Sequence, residues 1–195
     1  MKFEVVVADP PWAFQDKLKI KDGVKRSAES QYQVMTLERI KQMQIPFADD
    51  CVLALWCPSS LFFEQGKEVL DAWGFEPKQI YTWLKTTKKG KMEFAMGRWF
   101  RGCTEHAIIA TKGKPFKMLK NKAQRNACLA LNQGHSVKPD HLQDSLELMF
   151  PDCQKLELFA RRLKPGWVCL GNQITGRDIF EDLEMIKKVE MELKS

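Results

Sequence analysis

No apolar stretch of about 18 residues occurs in this chain, so no membrane-spanning helix is expected. The first apolar run begins at Phe3, which leaves no room for a secretory signal peptide ahead of it. None of the six cysteines forms a C-x-x-C pair, and neither they nor the three histidines have the spacing of metal ligands. These absences predict a cytoplasmic protein with reduced thiols, no metal and no membrane association.

Two common nucleotide-binding motifs are also missing. The chain contains neither G-x-G-x-x-G nor a P-loop, which disfavours a common dinucleotide or NTP site. Internal repeats and long low-complexity segments are absent as well. The length of 195 residues and the apolar content of 44% then predict one folded domain, residues 1–195, with a substantial core.

Apolar runs that resemble strands alternate with helical patterns along the chain. The predicted strands are 3–8, 51–57, 79–84, 106–111, 155–160 and 167–170. The predicted helices are 36–43, 59–73, 139–150 and 175–194. This alternation predicts an α/β fold with a mostly parallel, doubly wound sheet. The long polar segments 15–31, 86–102 and 112–135 are predicted to be loops that carry function or are disordered.

The most informative motif is Asp9-Pro10-Pro11-Trp12, which directly follows the Val-rich run 3–8. A carboxylate at the carboxyl end of a strand lies where open α/β sheets place their ligands. Pro10 lacks an N–H but keeps its carbonyl, so Asp9 and Pro10 together offer two acceptors to one flat amino group. Trp12 offers an aromatic face on which a planar base can stack. We interpret the motif as a grip for an exocyclic amine; the alternative is a strand followed by an ordinary proline turn.

A second group of polar residues follows strands in the last third of the chain. Lys138 stands just before a predicted helix, where its point charge can meet a small carboxylate. Glu157 and Arg161 flank one strand end, and Asn172 and Gln173 follow Gly171 at the end of another. Amide side chains in that position can bond ribose hydroxyls or an adenine edge. Each residue also has a structural reading, as a surface lysine, a local ion pair or a turn residue.

Basic residues are concentrated in three runs. The net charge is +6 and the sequence pI is about 9.0, which suits a polyanionic partner. The runs are Lys17 to Arg26, Lys85 to Lys91 with Arg98 and Arg101 beyond it, and Lys112 to Arg125. The aromatic residues Phe14, Tyr32, Trp99 and Phe100 lie near them. Interleaved basic and aromatic residues favour nucleic acid over a merely solvated surface, although any single run can be the latter.

With these residues identified, the chain resembles the DPPW-type adenine-N6 methyltransferases, the family of the catalytic subunit of the eukaryotic mRNA adenosine methyltransferase. The resemblance covers nearly the whole chain. The matching segments keep the family's order and spacing; besides Asp9 to Trp12 they are Tyr32 to Met35, Leu55-Trp56, Trp73 to Phe75, Trp83 to Lys85, Gly97 to Trp99, Glu105-His106, His135 to Asp140, Lys155 to Arg161 and Gly171 to Gln173.

The resemblance implies S-adenosylmethionine as the methyl donor and the N6 amine of adenine as the acceptor. It implies a Rossmann-like sheet of permuted order, with the catalytic strand first and the cofactor strand, 156–160, late. Direct methyl transfer from a sulfonium to the amine is the implied reaction. A lone catalytic module of this size resembles a bacterial or phage DNA methyltransferase, so DNA is favoured over RNA, in a monomer or a homodimer.

The resemblance also assigns roles to residues. Asp9, Pro10, Pro11 and Trp12 form the implied catalytic set. The implied cofactor-binding set is Asp9 near the methionine end, Lys138 at the donor carboxylate, and Glu157, Arg161, Asn172 and Gln173 on the ribose and adenosine side. The predicted substrate-binding set is Tyr32, Lys85, Lys88, Lys89, Trp99 and Glu105. The stretch from Arg161 to Trp167 is short and lacks the family's His-Asn pair, which predicts fewer ribose contacts.

Two other functions remain open at this stage. One is a catalytically inactive, nucleic-acid-binding partner subunit of the same family; such paralogues usually lose the DPPW motif or the cofactor residues, and both are present here. The other is a small-molecule amine methyltransferase, against which the basic loops argue. Binding of the methyl donor by the purified protein would distinguish an active enzyme from the inactive subunit. Retention on heparin at moderate salt would argue against the small-molecule methyltransferase.

Overall fold

The structure, a computed structural model, describes residues 1–13, 34–96, 99–134 and 137–192, and only the backbone of Glu190. Several sequence predictions lie outside these residues: the substrate role of Tyr32, the basic run from Lys17 to Arg26, and the segments around Arg98 and His135.

A seven-stranded sheet forms the centre of the described chain. Its strands are β1 (Phe3–Ala8), β2 (Phe47–Cys57), β3 (Glu76–Thr86), β4 (Thr104–Lys112), β5 (Ala127–Leu131), β6 (Lys155–Leu158) and β7 (Trp167–Leu170). The helices are α1 (Leu37–Lys41), a π-helical turn (Phe62–Gly66) that continues into α2 (Lys67–Trp73), a 3₁₀ turn (Pro115–Met118), α3 (His141–Met149), α4 (Asn172–Thr175) and α5 (Ile179–Glu192).

The strand order is β5-β3-β4-β2-β1-β6-β7. Strand β1 pairs in parallel with β2 on one side and with β6 on the other, and β6 pairs in parallel with β7. Strand β4 runs antiparallel to both of its neighbours, β2 and β3. The predicted mostly parallel sheet is therefore confirmed, and so is the permuted order, because the first strand of the chain lies at the centre beside a late one.

Helices cover both faces of the sheet, which confirms the doubly wound arrangement. On one face, Ile40 of α1, Leu70 of α2 and Leu183 of α5 pack in the same buried cluster as alternate residues of β1 and β2. On the other face, Leu142 and Leu146 of α3 pack in a second cluster with the opposite set of strand residues. The near-continuous apolar runs of β1 and β2 follow from this, since strands buried on both faces do not alternate.

Several element ends are shifted by a few residues, and three elements differ more substantially from the sequence predictions. Strand β5 lies inside the segment 112–135, which was predicted to be a loop. The strand was missed because its sequence, Ala-Cys-Leu-Ala-Leu, has no β-branched residue to mark it. The predicted helix 59–73 begins as a π-helical turn. The predicted helix 175–194 is broken at Gly176, which has a left-handed backbone with φ 72°, so α4 and α5 are separate.

The direction of β4 also relocates one basic run. Because β4 is antiparallel, Lys112 at its end lies opposite Cys51 at the start of the buried part of β2. The run from Lys112 therefore starts at the opposite end of the strands from Asp9. A parallel β4 would bring this run to the end of the strands where Asp9 lies, whereas the antiparallel β4 keeps it away from Asp9.

Gly171, between β7 and α4, is a site of close backbone packing. A Cβ atom at this position would lie 2.6 Å from the Ala160 carbonyl oxygen and 2.8 Å from the Ala160 nitrogen. The amide of Ala160 is itself bonded to the Leu170 carbonyl at 2.8 Å. Only glycine lets the ends of β6 and β7 approach this closely.

We therefore expect Gly171→Ala to destabilise the protein by about 1–3 kcal/mol, the usual cost of overpacking where backbone must move. Urea unfolding followed by circular dichroism measures the change. Gly102→Ala is the matched control, because a Cβ there meets nothing closer than the Met96 carbonyl oxygen at 3.7 Å. Equal unfolding midpoints for the two variants would contradict the packing argument.

Candidate active site

Asp9 lies at the carboxyl edge of the sheet, one residue beyond β1. Its amide donates to the Leu158 carbonyl of β6 at 3.4 Å, so the end of β1 is held beside the end of β6. The carboxyl ends of β1, β2, β3, β6 and β7 lie at this edge, as does the amino end of the antiparallel β4. This is the edge at which open α/β sheets bind ligands.

A chain of four alternating charges runs along the edge. The Lys138 ammonium lies 2.8 Å from Asp9 Oδ2 and 3.1 Å from Glu105 Oε2. The other oxygen of Glu105 lies 2.6 Å from the Lys85 ammonium. Four residues from four parts of the sequence are thus joined as Lys85–Glu105–Lys138–Asp9. All four were predicted to meet a ligand; their mutual contacts were not predicted.

Burial and neighbouring charges shift the pKa values of this network in opposite directions. Burial by itself lowers the pKa of Lys138, but the neighbouring carboxylates of Asp9 and Glu105 outweigh it and hold that pKa above its usual value. Burial likewise raises the pKa of Glu105, and the two lysines outweigh it, so the net shift is downward. Both groups are therefore charged at neutral pH. Buried charges persist only when paired in this way.

The Lys138 ammonium has a further aromatic contact. It lies 5.4 Å from the centroid of the Trp56 ring, within the range of a cation–π interaction. An ammonium has three N–H donors, and Asp9 and Glu105 account for two of them. Lys138 thus holds Asp9, and within the described residues its ammonium forms no third ion pair, so its third N–H could bond a ligand acceptor.

The Asp-Pro-Pro-Trp turn is held by hydrogen bonds to β2 and to the residue Met35. Trp12 is 5% exposed, and its indole N–H donates to the Trp56 carbonyl at 2.9 Å. The Pro10 carbonyl accepts from the Trp12 amide at 2.9 Å, and the Pro11 carbonyl accepts from the Met35 amide at 2.7 Å. The burial of Trp12 favours an anchoring role over the predicted stacking face, because a base reaches little of the ring. A carbonyl oxygen has two lone pairs, and among the described residues only the Trp12 amide donates a backbone hydrogen bond to that of Pro10.

The residues predicted to bind the cofactor are gathered at the ends of β6 and β7, next to β1. Glu157 lies within β6, opposite Val7 of β1 and Cys169 of β7. Arg161 follows β6 and is half-buried. Asn172 and Gln173 begin α4 directly after β7, and both are exposed. The backbone at Phe159, between Glu157 and Arg161, has the left-handed φ of 63°, a strained conformation that is frequent at functional sites.

Glu157 carries the most perturbed carboxyl group of the edge. Burial raises its pKa to about 7, and the charge of Arg162 and a hydrogen bond with Gln143 offset this only in part. The carboxylates of Asp9 and Asp140 raise it further. A carboxyl group that titrates near neutral pH beside Asp9 is typical of a functional site.

Arg162 is a residue that the sequence analysis missed. Its guanidinium donates to Asp140 Oδ1 from Nε at 3.0 Å and also from Nη2, and Nη2 donates to the Lys138 carbonyl at 3.1 Å. It therefore ties the Lys138 loop to the end of β6. Its position next to Arg161 after a strand was the only signal, and the sequence cannot show which of two adjacent arginines turns toward Asp140.

The predicted substrate-binding residues divide into two groups. Lys85 and Glu105 belong to the charge network. Lys88, Lys89 and Trp99 are exposed in the connection between β3 and β4, which leaves and rejoins the sheet at this same edge. Tyr32 is outside the described residues.

Other kinds of site are not evident in the described residues. They contain no cluster of three or more His, Cys, Asp or Glu side chains arranged to hold a metal ion. They contain no helix that is both long and apolar enough to cross a membrane. A groove of about 990 Å³ lies beside Tyr81, Ile109, Leu146 and Met149, with Lys112 on its rim, and is remote from Asp9.

The pKa of Glu157 predicts a pH dependence of stability. A pKa raised on folding means that stability falls as the pH rises from about 4.5, the unfolded value, through about 7. At pH 8 we expect Glu157→Gln to have a free energy of unfolding higher than that of the wild type by about 2 kcal/mol, and therefore a higher unfolding temperature. Near pH 4.5 the two proteins should have the same stability. Scanning calorimetry across this range is the measurement. The control Glu184→Gln removes an exposed carboxylate and should change neither end; a Glu157→Gln offset that is the same at both pH values would refute the assignment.

Comparison with known proteins agrees with this geometry. The sequence profile of MT-A70 matches residues 3–173. The chain is 31% identical over 185 residues to the N(6)-adenosine-methyltransferase catalytic subunit METTL3 of Homo sapiens, covering 92% of this chain and 30% of that protein. It is 33% identical over 199 residues to the type II methyltransferase M.MunI of Mycoplasma sp, covering 91% of this chain and 80% of that protein.

The chain thus spans less than a third of METTL3 but most of M.MunI. The match includes the Asp9 turn, the Lys138 loop and the strands β6 and β7, which are the parts that build the site. Since the profile covers most of the sequence and the resemblance rests on the same residues that the fold brings together, the chain belongs to the MT-A70 family.

Proposed function

We propose that this protein is an S-adenosylmethionine-dependent methyltransferase that acts on the N6 amine of adenine in nucleic acid, with DNA as the favoured acceptor. The observation that carries the proposal is Asp9, held by Lys138 at the sheet edge beside the polar ends of β6 and β7. Membership of MT-A70 and the names of METTL3 and M.MunI support the reaction. The chain covers 80% of the type II methyltransferase M.MunI and 30% of METTL3, and DNA is the acceptor to test first.

The donor set at β6 and β7 fits a nucleoside that carries an amino acid. The exposed amides of Asn172 and Gln173 offer donors and acceptors to a ribose or an adenine edge. The partly buried carboxyl of Glu157, whose pKa burial raises to about 7, can accept a hydrogen bond and, when protonated, also donate one. The remaining N–H of Lys138 suits a carboxylate. When bound, S-adenosylmethionine supplies an electrophilic methyl group on a sulfonium.

Asp9 and Pro10 would act on the acceptor amine. The lone pair of an adenine amine is delocalised into the ring, which makes the nitrogen a poor nucleophile. Lys138 bonds Asp9 Oδ2, and the carboxylate keeps further lone pairs for an amine proton. A second bond to the Pro10 carbonyl would favour a pyramidal nitrogen, whose lone pair is available for the methyl carbon. Further rate enhancement would come from holding the amine in line with the methyl group.

The charge network would give this arrangement its rigidity. A carboxylate that is free to rotate loses entropy when it orients a substrate, whereas Asp9 is held in advance by Lys138, which Glu105 holds in turn. Lys85 completes the chain and lies where the basic connection of β3 and β4 begins. Substrate orientation and phosphate contact would thus share one set of ion pairs.

The direct test of function is nucleoside mass spectrometry of DNA and RNA purified separately from a host that lacks adenine methylation and expresses the protein. We expect N6-methyldeoxyadenosine in the DNA above the level of the empty-vector control. If N6-methyladenosine is found in the RNA instead, the acceptor is RNA and not DNA. Neither product, with a protein that is soluble and binds the donor, would point to the inactive partner subunit instead.

Asp9→Ala is expected to reduce turnover by a factor of a hundred or more, with a much smaller change in donor affinity, because the side chain acts mainly on the transferring amine. Steady-state kinetics and donor titration of the same sample measure the two effects. Asp49→Ala, which removes an exposed carboxylate at the far edge, is the control. Near wild-type turnover of Asp9→Ala would end this assignment.

Asn172→Ala is expected to weaken donor binding by roughly 1–3 kcal/mol, the cost of leaving a ligand polar group without its partner. Isothermal titration with S-adenosylmethionine measures it. Asn121→Ala, remote from β6 and β7, is the control for loss of a loop asparagine. Unchanged affinity in Asn172→Ala would show that the donor does not reach α4.

Replacing Lys88, Lys89 and Lys91 together by Ala is expected to weaken nucleic-acid binding and to flatten its salt dependence by up to about three phosphate equivalents. Phosphates carry no sequence information directly, so the loss should be similar for all sequences. Fluorescence anisotropy over a salt series measures the slope, and donor affinity should not change. A triple variant at Lys112, Lys114 and Lys122, near the opposite edge, is the charge-matched control; an unaltered slope for the first variant would make its run a solvated surface.

A further inference from the structure

Residues 86–103 run from the last residue of β3 to the start of β4, and their described parts, 86–96 and 99–103, expose a large apolar surface. Its residues Met92, Phe94, Met96, Trp99 and Phe100 are between 59% and 91% exposed. At roughly 150–250 Å² for each aromatic side chain, the three aromatic residues alone expose on the order of 500 Å². That is as much as the largest apolar patch of a typical monomer, and such patches mark contact surfaces.

This connection, the 86–103 segment, is fastened to the candidate active site. The Lys85 amide donates to the Cys103 carbonyl at 2.8 Å, and the Lys85 carbonyl accepts from the Glu93 amide at 2.9 Å. The Glu93 carboxylate accepts from the Asn132 side chain at 2.7 Å. The Lys85 ammonium bonds Glu105, which is linked through Lys138 to Asp9. The residue at the base of the segment is thus part of the network that holds Asp9.

The charge of the 86–103 segment identifies what it meets. Its only carboxylate is Glu93, which is partly buried, whereas Lys88, Lys89 and Lys91 are exposed and the Arg101 guanidinium lies 5.2 Å from the Phe94 ring centroid. A second copy of the segment would face it with like charge, which is costly. Phosphates complement the lysines, and unstacked bases complement the aromatic rings.

Access to the target also needs an aromatic surface that the catalytic motif does not supply. The N6 amine of a target adenine is base-paired inside a duplex, so the base must be extruded before it can react. Extrusion costs the free energy of its base pair and of its stacking. Trp12, the aromatic residue of the motif, is buried and bonded to Trp56. Among the described residues, the 86–103 segment brings three exposed aromatic rings to this edge, Phe94, Trp99 and Phe100, and Phe63, which follows the carboxyl end of β2, is a further one.

We propose, on the basis of the proposed function, that Trp99 and Phe100 form a wedge that stacks on the base pairs beside the target and fills the space left by the extruded adenine. The substrate is then base-paired nucleic acid, opened by the enzyme itself. Inserted apolar side chains in other proteins unstack base steps in this manner. The lysines hold the backbone while the rings replace the lost stacking.

The test compares one DNA sequence in two forms: unmethylated phage DNA as single-stranded circles and as duplex circles. N6-methyldeoxyadenosine is measured by mass spectrometry after timed reactions. In the variant Trp99→Ala with Phe100→Ala, the ratio of duplex to single-stranded methylation is expected to fall at least tenfold, because single strands need no wedge. The variant Trp99→Phe with Phe100→Tyr keeps two rings and should retain the wild-type ratio. Phe116→Ala, an exposed ring near the opposite edge, is the control.

Each other outcome is decisive. An unchanged ratio in the double alanine variant, whether both forms lose activity equally or neither does, overturns the wedge. If light scattering shows that the wild type is an oligomer and that the double variant is a monomer, the patch is a protein interface and the wedge is overturned too. A wild type that binds the donor but methylates neither form, nor RNA in paired and separated strands, overturns the proposed function itself.

Discussion

The Lys138 ammonium, set between Asp9 and Glu105, is the contact on which the arrangement of the site depends. All three charges are partly buried, and the desolvation of each is offset by a close partner of opposite sign. The pairing therefore requires that the end of β1, the start of β4 and the loop before α3 meet at one point. Arg162 holds that loop from the other side, through Asp140 and the Lys138 carbonyl.

The antiparallel strand β4 is what makes this meeting possible. A parallel strand at its place in the sheet would bring its last residues to the catalytic edge, and Glu105 would lie at the far end. Because β4 is reversed, Glu105 is opposite Trp83 of β3 and close to Lys85, and the connection from β3 to β4 is confined to one edge. One reversed strand thus supplies both the carboxylate that holds Lys138 and the segment that extends from Lys85.

Much of the fold and part of the site could be predicted from the sequence, for local reasons. Asp9 follows an apolar run that can only be a buried strand, and Asn172 follows another, so their shared edge was accessible to pattern reasoning. The partners of Lys138 were not, because Asp9 is 129 residues away and no local pattern encodes that contact. The burial of Trp12 was missed for the same reason: its indole bonds to a carbonyl of β2. Strand β5 was missed because alanine and leucine mark strands and helices alike, and only its pairing with β3 decides between them.

The central place of β1 has a consequence for how the protein is made. During synthesis the chain emerges from its amino end, and β1 finds β2 within the first 57 residues, but its other edge is covered only by β6, at Lys155–Leu158. Until β6 is synthesised, a strand with three consecutive buried valines, Val5 to Val7, thus has one open edge, the kind that templates aggregation. Premature termination before β6 leaves Asp9 without its neighbouring strand and without the whole donor side.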